Sequence, residues 1–196
     1  MAAYSETKYE IPTWNQIYDM LLHQAQKIRL DGYKPDTIIG IERGGLVPSR
    51  ILSDLLETKE FATIQIEHYD GINQTKQEPI LKQCLSTTLT DKKTLLVDDI
   101  SDSGSSLQLA KKHLRQQGAK ETKIATLYAK PATITRPDYY EKLTSKWVVF
   151  PWDAKETVRK IIEKQAGKRV SDKEIAKLVK AGLPKQLAEK FLRDME

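Results

Sequence analysis

Thr94-Leu95-Leu96-Val97-Asp98-Asp99-Ile100-Ser101-Asp102-Ser103-Gly104-Ser105-Ser106-Leu107 sets the architecture of this chain. It opens as a short unbroken apolar run, the pattern of a parallel strand buried on both faces. Two carboxylates follow, then a loop of small hydroxyl residues and glycine. Behind the loop, Leu107, Leu109, Ala110 and Leu114 recur at helical spacing up to Gln117-Gly118, where glycine reads as a C-cap. Strand, acids, small loop and helix in that order suit a phosphate. Loop N–H groups can wrap an anion, and the helix N-terminus adds partial positive charge. An Asx- and Ser-rich turn could produce the loop by itself, but turn chemistry does not require three acids at this spacing.

Similar units flank it. Thr37-Ile38-Ile39-Gly40-Ile41 is a second buried strand, running into Glu42-Arg43-Gly44-Gly45-Leu46-Val47-Pro48 and a helix through Ile51, Leu52 and Leu55. Glycine allows close backbone approach, and arginine offers a planar fork of donors to phosphate oxygens. Phe61 to Tyr69 alternates as a strand with one wetter face, followed by polar, turn-rich residues 70–79 and then Ile80-Leu81. Lys123 to Tyr128 makes a further strand with Lys130-Pro131 just past its end. Upstream, Thr13-Trp14-Asn15-Gln16 has the form of a capping box. It opens a helix whose stripe of Trp14, Ile17, Tyr18, Leu21, Leu22, Ala25 and Ile28 is expected to pack on the sheet.

Composition narrows the function classes. The chain has 196 residues, 39% hydrophobic and 30% charged, enough for one ordinary domain and an appendage. Its single cysteine, Cys84, cannot form an internal disulfide, which points to a reducing compartment. The N-terminus lacks a signal pattern and no apolar run reaches membrane-spanning length, so a cytoplasmic protein is expected. Residues 1–153 carry 20 Lys and Arg against 20 Asp and Glu; residues 154–196 carry 12 against 7, the whole of the +5 net charge. The basic excess therefore belongs to the tail and not to the loops. The tail reads as three short helices. Val158, Ile161 and Ile162 form one stripe; Ser171-x-x-Glu174 is a capping box before Ile175, Leu178 and Val179; Gly182 is a C-cap and Pro184 starts the third helix. Ala176 and Gly182 lack the tight spacing of a helix-turn-helix, so a packing bundle with solvated lysines is favoured and nucleic acid is not expected as a partner.

Val97 to Ser106 resembles the 5-phosphoribosyl 1-pyrophosphate (PRPP) signature of type I phosphoribosyltransferases, with serine at Ser103 and Ser106 where that family often has threonine. Arg43-Gly44-Gly45-Leu46-Val47-Pro48 resembles the pyrophosphate loop of bacterial-type xanthine-guanine phosphoribosyltransferases. Lys130-Pro131 and Trp147-Val148-Val149-Phe150-Pro151-Trp152-Asp153 are similar to the two segments with which those enzymes hold the purine. The resemblance covers roughly residues 12–153 and implies an α/β fold, a mostly parallel twisted sheet flanked by helices, with a small hood. Residues 1–153 form that domain in this reading, and 154–196 a helical tail that departs from the family.

What the resemblance implies for chemistry is transfer of the phosphoribosyl group from PRPP to a 6-oxopurine, with release of pyrophosphate. Arg43, Gly44 and Gly45 with Mg²⁺ would hold the pyrophosphate, near a non-proline cis peptide at Glu42-Arg43. Asp98 and Asp99 would face the ribose hydroxyls, with Asp99 the contact to metal. Ser101, Ser103, Gly104, Ser105 and Ser106 would bind PRPP, and Asp102 would exchange a proton with purine N7. Lys130, Trp147 and Val148 would read the base, Trp147 by stacking worth about 1–3 kcal/mol, while Trp152 packs. A flap over residues 70–79, with Lys76 or Lys82 as candidate contacts, would close over PRPP. A homo-oligomer, dimer or tetramer, is expected. The alternative is a non-catalytic PRPP-sensing regulator with its basic tail on nucleic acid.

Overall fold

The computed structural model describes residues 8–69, 78–85, 87–163 and 172–195. In chain order the elements are β1 (Tyr9–Glu10), α1 (Trp14–Leu30), β2 (Thr37–Glu42), α2 (Leu46–Leu55), β3 (Glu60–Tyr69), β4 (Glu78–Gln83) and β5 (Lys93–Ser101). There follow α3 (Ser105–Gln116), β6 (Glu121–Ala129), β7 (Tyr139–Leu143), β8 (Trp147–Val148), α4 (Ala154–Glu163), α5 (Asp172–Ala181) and α6 (Lys185–Arg193).

Two compact units divide the chain, one of Tyr18–Thr144 and one of the described residues before and after that span. The first holds a six-stranded sheet in the order β4-β3-β2-β5-β6-β7. All neighbours are parallel except β3 with β4. β7, Tyr-Tyr-Glu-Lys-Leu, carries no apolar run and was not expected; it is the wet edge of the sheet, held by pairing to β6. Ile39, Ile41, Ile64, Ile66, Leu96 and Ile124 pack with Leu107, Ala110 and Leu114 of α3. Ile38, Leu95, Val97 and Leu127 alternate with them and so point to the opposite face, where they are buried too. Burial on both faces explains why β2 and β5 read as continuous apolar runs.

The capping box of α1 forms as expected: Thr13 N–H donates to Gln16 Oε1 (2.9 Å) and Gln16 N–H to Thr13 Oγ1 (3.2 Å). The expected buried stripe is only half correct. Ile17, Leu21, Ala25 and Ile28 are buried, whereas Trp14, Tyr18 and Leu22 are 53%, 47% and 43% exposed. Tyr18 and Leu22 each follow a buried residue by one position, about 100° round the helix, so they turn off the covered face.

In the second unit β1 and β8 pair in parallel, Tyr9 beside Trp147 and Glu10 beside Val148. Phe150 stacks on Trp152 with centroids 4.8 Å apart, and Trp14 tilts against Trp152 at 5.7 Å. Division at residue 153/154 is not what the packing shows. Tyr9 and Val149 share one core with Ala154, Val158, Ile161, Leu178, Leu183 and Ala188, so the helical tail and the hood are built around the same apolar cluster. Gly182 follows α5 at φ +123°, as its reading as a C-cap requires. The expected capping box at Ser171 and Glu174 lies outside the described side chains.

Candidate active site

The chain leaves β2 for β3 on one side and β5 for β6 and β7 on the other, so the strand order reverses between β2 and β5. In open α/β sheets the crevice at the carboxyl ends of two such strands is where ligands bind. Both glycine-bearing loops open at that crevice. One joins β2 to α2 and the other β5 to α3, so two helix N-termini lie at the same end of the sheet.

The loop after β2 carries a cis peptide at Glu42-Arg43, as the resemblance implied. A Cβ on Gly44 would fall on the carboxyl group of Asp99, 2.5 Å from its Cγ. The bare backbone of this loop therefore lies directly against an acid of the neighbouring strand. Gly45 is different. Its N–H donates to the Ile41 carbonyl at 2.8 Å, and a Cβ there would sit 2.7 and 2.9 Å from the Ile41 carbonyl oxygen and amide nitrogen. At Gly45, where an anion contact is expected, the N–H is used inside the turn and glycine is needed for close packing. Arg43 is exposed at the rim.

β5 continues through both acids to Ser101, so Asp98 and Asp99 project to opposite faces. Asp99 faces Gly44. Asp98 Oδ1 accepts the Asp99 N–H at 2.9 Å. Desolvation, followed by the neighbouring Asp99 charge, raises the Asp98 carboxyl well above the usual range. Asp102 and Ser103 are exposed at the tip. Ser103 Oγ lies 2.8 Å from Ser105 Oγ, and Gly104, at φ +83°, is the N-cap of α3. Ser105 and Ser106 are half-buried in the first turn of α3. Ser101 departs from expectation. It is 1% exposed, and its hydroxyl donates to the Thr135 carbonyl at 2.9 Å and lies 2.7 Å from Thr133 Oγ1, so its side chain is engaged within the protein.

Lys130 stands half-buried just past β6, its N–H donating to the Ser101 carbonyl at 2.9 Å. Trp147 and Val148 belong to the other unit. There Trp147 is 43% exposed and Val148 buried, and the Trp147 N–H donates to the Lys8 carbonyl at 2.9 Å. Thr133 and Thr135 were not singled out from the sequence. Two threonines after a Lys-Pro carry no spacing signal, and only the fold brings them to Ser101. Of the candidate flap contacts, Lys76 lies outside the described residues and Lys82 pairs with Glu67 at 3.8 Å. Among the described residues no three His, Cys, Asp or Glu converge as a metal cage. A single carboxylate at the crevice, Asp99 against the Gly44 backbone, fits a hydrated Mg²⁺ that arrives with substrate phosphates.

Residues 10–158 match the phosphoribosyl transferase domain family. The xanthine-guanine phosphoribosyltransferase of Cereibacter sphaeroides is 35% identical over 150 residues, covering 72% of this chain and 84% of that protein. The enzyme of the same name from Nitratidesulfovibrio vulgaris is 32% identical over 145 residues, with 72% and 83% covered. A crystal structure of the purine phosphoribosyltransferase from Pyrococcus horikoshii aligns with a TM-score of 0.68 at 38% identity, covering 74% of this chain and 94% of that one.

Proposed function

The chain belongs to the phosphoribosyl transferase family, and on that premise we propose that it is a purine phosphoribosyltransferase of the type I fold. It moves the phosphoribosyl group of PRPP onto a ring nitrogen of a 6-oxopurine (guanine, xanthine or hypoxanthine) and releases pyrophosphate, a salvage reaction. The observation that carries this reading is the meeting of Gly44 with the Asp99 carboxyl at the crevice between β2 and β5. It brings a pyrophosphate loop and an acidic sugar site within one substrate's length.

Breaking the anomeric bond builds positive charge on the ribose and negative charge on the leaving group. Arg43 and the Gly44 backbone bind the leaving pyrophosphate, and Asp98 with Asp99 face the ribose hydroxyls. Asp99 would hold Mg²⁺, which when bound supplies charge neutralisation for the pyrophosphate oxygens. Ser103, Ser105 and Ser106 at the α3 N-terminus cradle the 5-phosphate around Gly104. Asp102 exchanges a proton with N7 of the base. Lys130 donates to the six-oxo group, and Trp147 and Val148 stack on and border the purine.

A cytoplasmic location and assembly into dimers or tetramers are part of the same proposal. The exposed lone thiol of Cys84 supports the first, and the exposed apolar pair Tyr18 and Leu22 on α1 the second. Among the described residues no helix is long and apolar enough to cross a membrane. A regulator holding nucleic acid with its tail is not favoured. Lys155 pairs with Asp194 at 2.7 Å, Lys160 with Glu156 at 2.8 Å and Lys185 with Glu189 at 3.8 Å, which neutralises part of the basic surface. Pyrophosphate release from PRPP and Mg²⁺, measured with guanine, xanthine, hypoxanthine and orotate in turn, tests the assignment. Release with a 6-oxopurine and not with orotate is expected; release with orotate alone would overturn it.

A further inference from the structure

The loop after β6 is fastened to the loop after β5 at four points. Lys130 N–H donates to the Ser101 carbonyl and Ile134 N–H to the Ser103 carbonyl, both at 2.9 Å. The other two involve side chains. Ser101 Oγ donates to the Thr135 carbonyl at 2.9 Å and lies 2.7 Å from Thr133 Oγ1, whose hydroxyl also reaches that carbonyl at 3.3 Å. Thr135 N–H in turn lies 3.4 Å from Thr133 Oγ1, which completes a ring of donors and acceptors. Gly104, the apex of the other loop, presses on the same residues: a Cβ there would meet the Thr135 amide nitrogen at 2.6 Å and its Cβ at 3.1 Å. Ser101, at the centre of this contact, is 1% exposed, so water does not take its place there.

We propose that Ser101 and Thr133 are positioning residues that lock the phosphate loop, Ser103 to Ser106, to the loop that carries Lys130, so that occupation of either subsite orders the other. The proposal rests on the transferase reading for the identity of the two ligands. Its physical core is the clasp between Ser101 and Thr133. Coupling of this kind is reciprocal. A change made on the base-side loop alters affinity for PRPP, and a change at the end of β5 alters affinity for the purine. Two hydroxyls that act as one unit also give non-additive losses when both are removed.

The test compares wild type with Ser101→Ala, Thr133→Val, the double variant and Thr133→Ser. Each single variant is expected to raise KM for PRPP and for guanine together, by about 5- to 20-fold, within the range typical of coupled sites. The double variant adds little to either single loss, and Thr133→Ser, which retains the hydroxyl, restores both constants. A rise in KM for PRPP alone in Ser101→Ala would make Ser101 a direct phosphate contact and overturn the proposal. So would a fall in melting temperature with both constants unchanged. Amide exchange of unliganded protein separates this outcome from failure of the transferase reading. In Thr133→Val the amides of residues 103–106 exchange faster if the clasp holds them; unchanged exchange there refutes the clasp whether or not the chain turns over PRPP.

Discussion

Asp102 stands exposed at the tip of the loop, one residue beyond the end of β5, where a carboxyl can reach a reacting base and still exchange protons with water. The proton exchange proposed for it predicts that Asp102→Asn keeps the fold and PRPP affinity but lowers turnover by about 10²–10⁴-fold. Steady-state kinetics with a calorimetric titration of PRPP checks both halves. Asp98 carries the opposite cost. Its carboxyl is pushed up by desolvation and by Asp99, so over the pH range between the ordinary and the raised value the folded chain holds a proton that the unfolded chain has lost. Stability contributed by this group therefore falls as pH rises through that range, and the whole penalty is present above it. Asp98→Asn retains the acceptor for the Asp99 N–H and removes the charge. It should raise the melting temperature of metal-free protein at neutral pH by a few degrees, each kcal/mol being worth about 2–4 °C at this size. The gain should shrink toward acid pH, while PRPP turnover is lost. A variant that melts lower at neutral pH would contradict the desolvation cost assigned to the Asp98 carboxyl.

At the scale of elements, β5 with the loop to α3 and β2 with the loop to α2 were legible because parallel strands buried on both faces leave apolar runs, and anion loops leave glycine and hydroxyl residues. Their adjacency was not legible; nothing in either run says that Gly44 lies on Asp99. The two glycines of that loop make a paired prediction. Gly44→Ala puts a methyl group on a carboxylate and should weaken PRPP binding at least tenfold with little change in melting temperature. Gly45→Ala drives a methyl into the Ile41 and Val97 backbone and should cost stability first, of the order of the 1–3 kcal/mol of overpacking. Calorimetry and thermal melts on the same two variants separate these. Ser101 shows the other limit of the sequence. Its place in the signature suggested a ligand contact, but its hydroxyl is taken up by the loop after β6, whose Thr133 and Thr135 are more than thirty residues away. Tyr18 and Leu22 fail for a related reason: helical spacing identifies an apolar surface without saying how wide a face is covered.

For the whole molecule, the family match ends at residue 158, yet the packing does not end there. Leu178 and Ala188, from the tail, close a core that includes Tyr9 and Val149 beside the hood strands. Charge counting singled out the tail as separate, because surface charge is what composition reports; the shared core is apolar and silent in that count. Leu178→Ala should therefore cost about 2–5 kcal/mol, as large-to-small changes in cores do. The shift in denaturant midpoint measures it, with turnover unchanged well below the transition. A Leu178→Ala chain as stable as the wild type would mean that the tail is not part of this core.

Phosphorus NMR of the protein with PRPP, Mg²⁺ and guanine tests the central claim most directly. The PRPP resonances are expected to give way to a nucleoside 5-monophosphate and pyrophosphate in equal amounts, and Asp102→Asn to slow both together. Unchanged PRPP, or pyrophosphate formed without nucleotide, would contradict it.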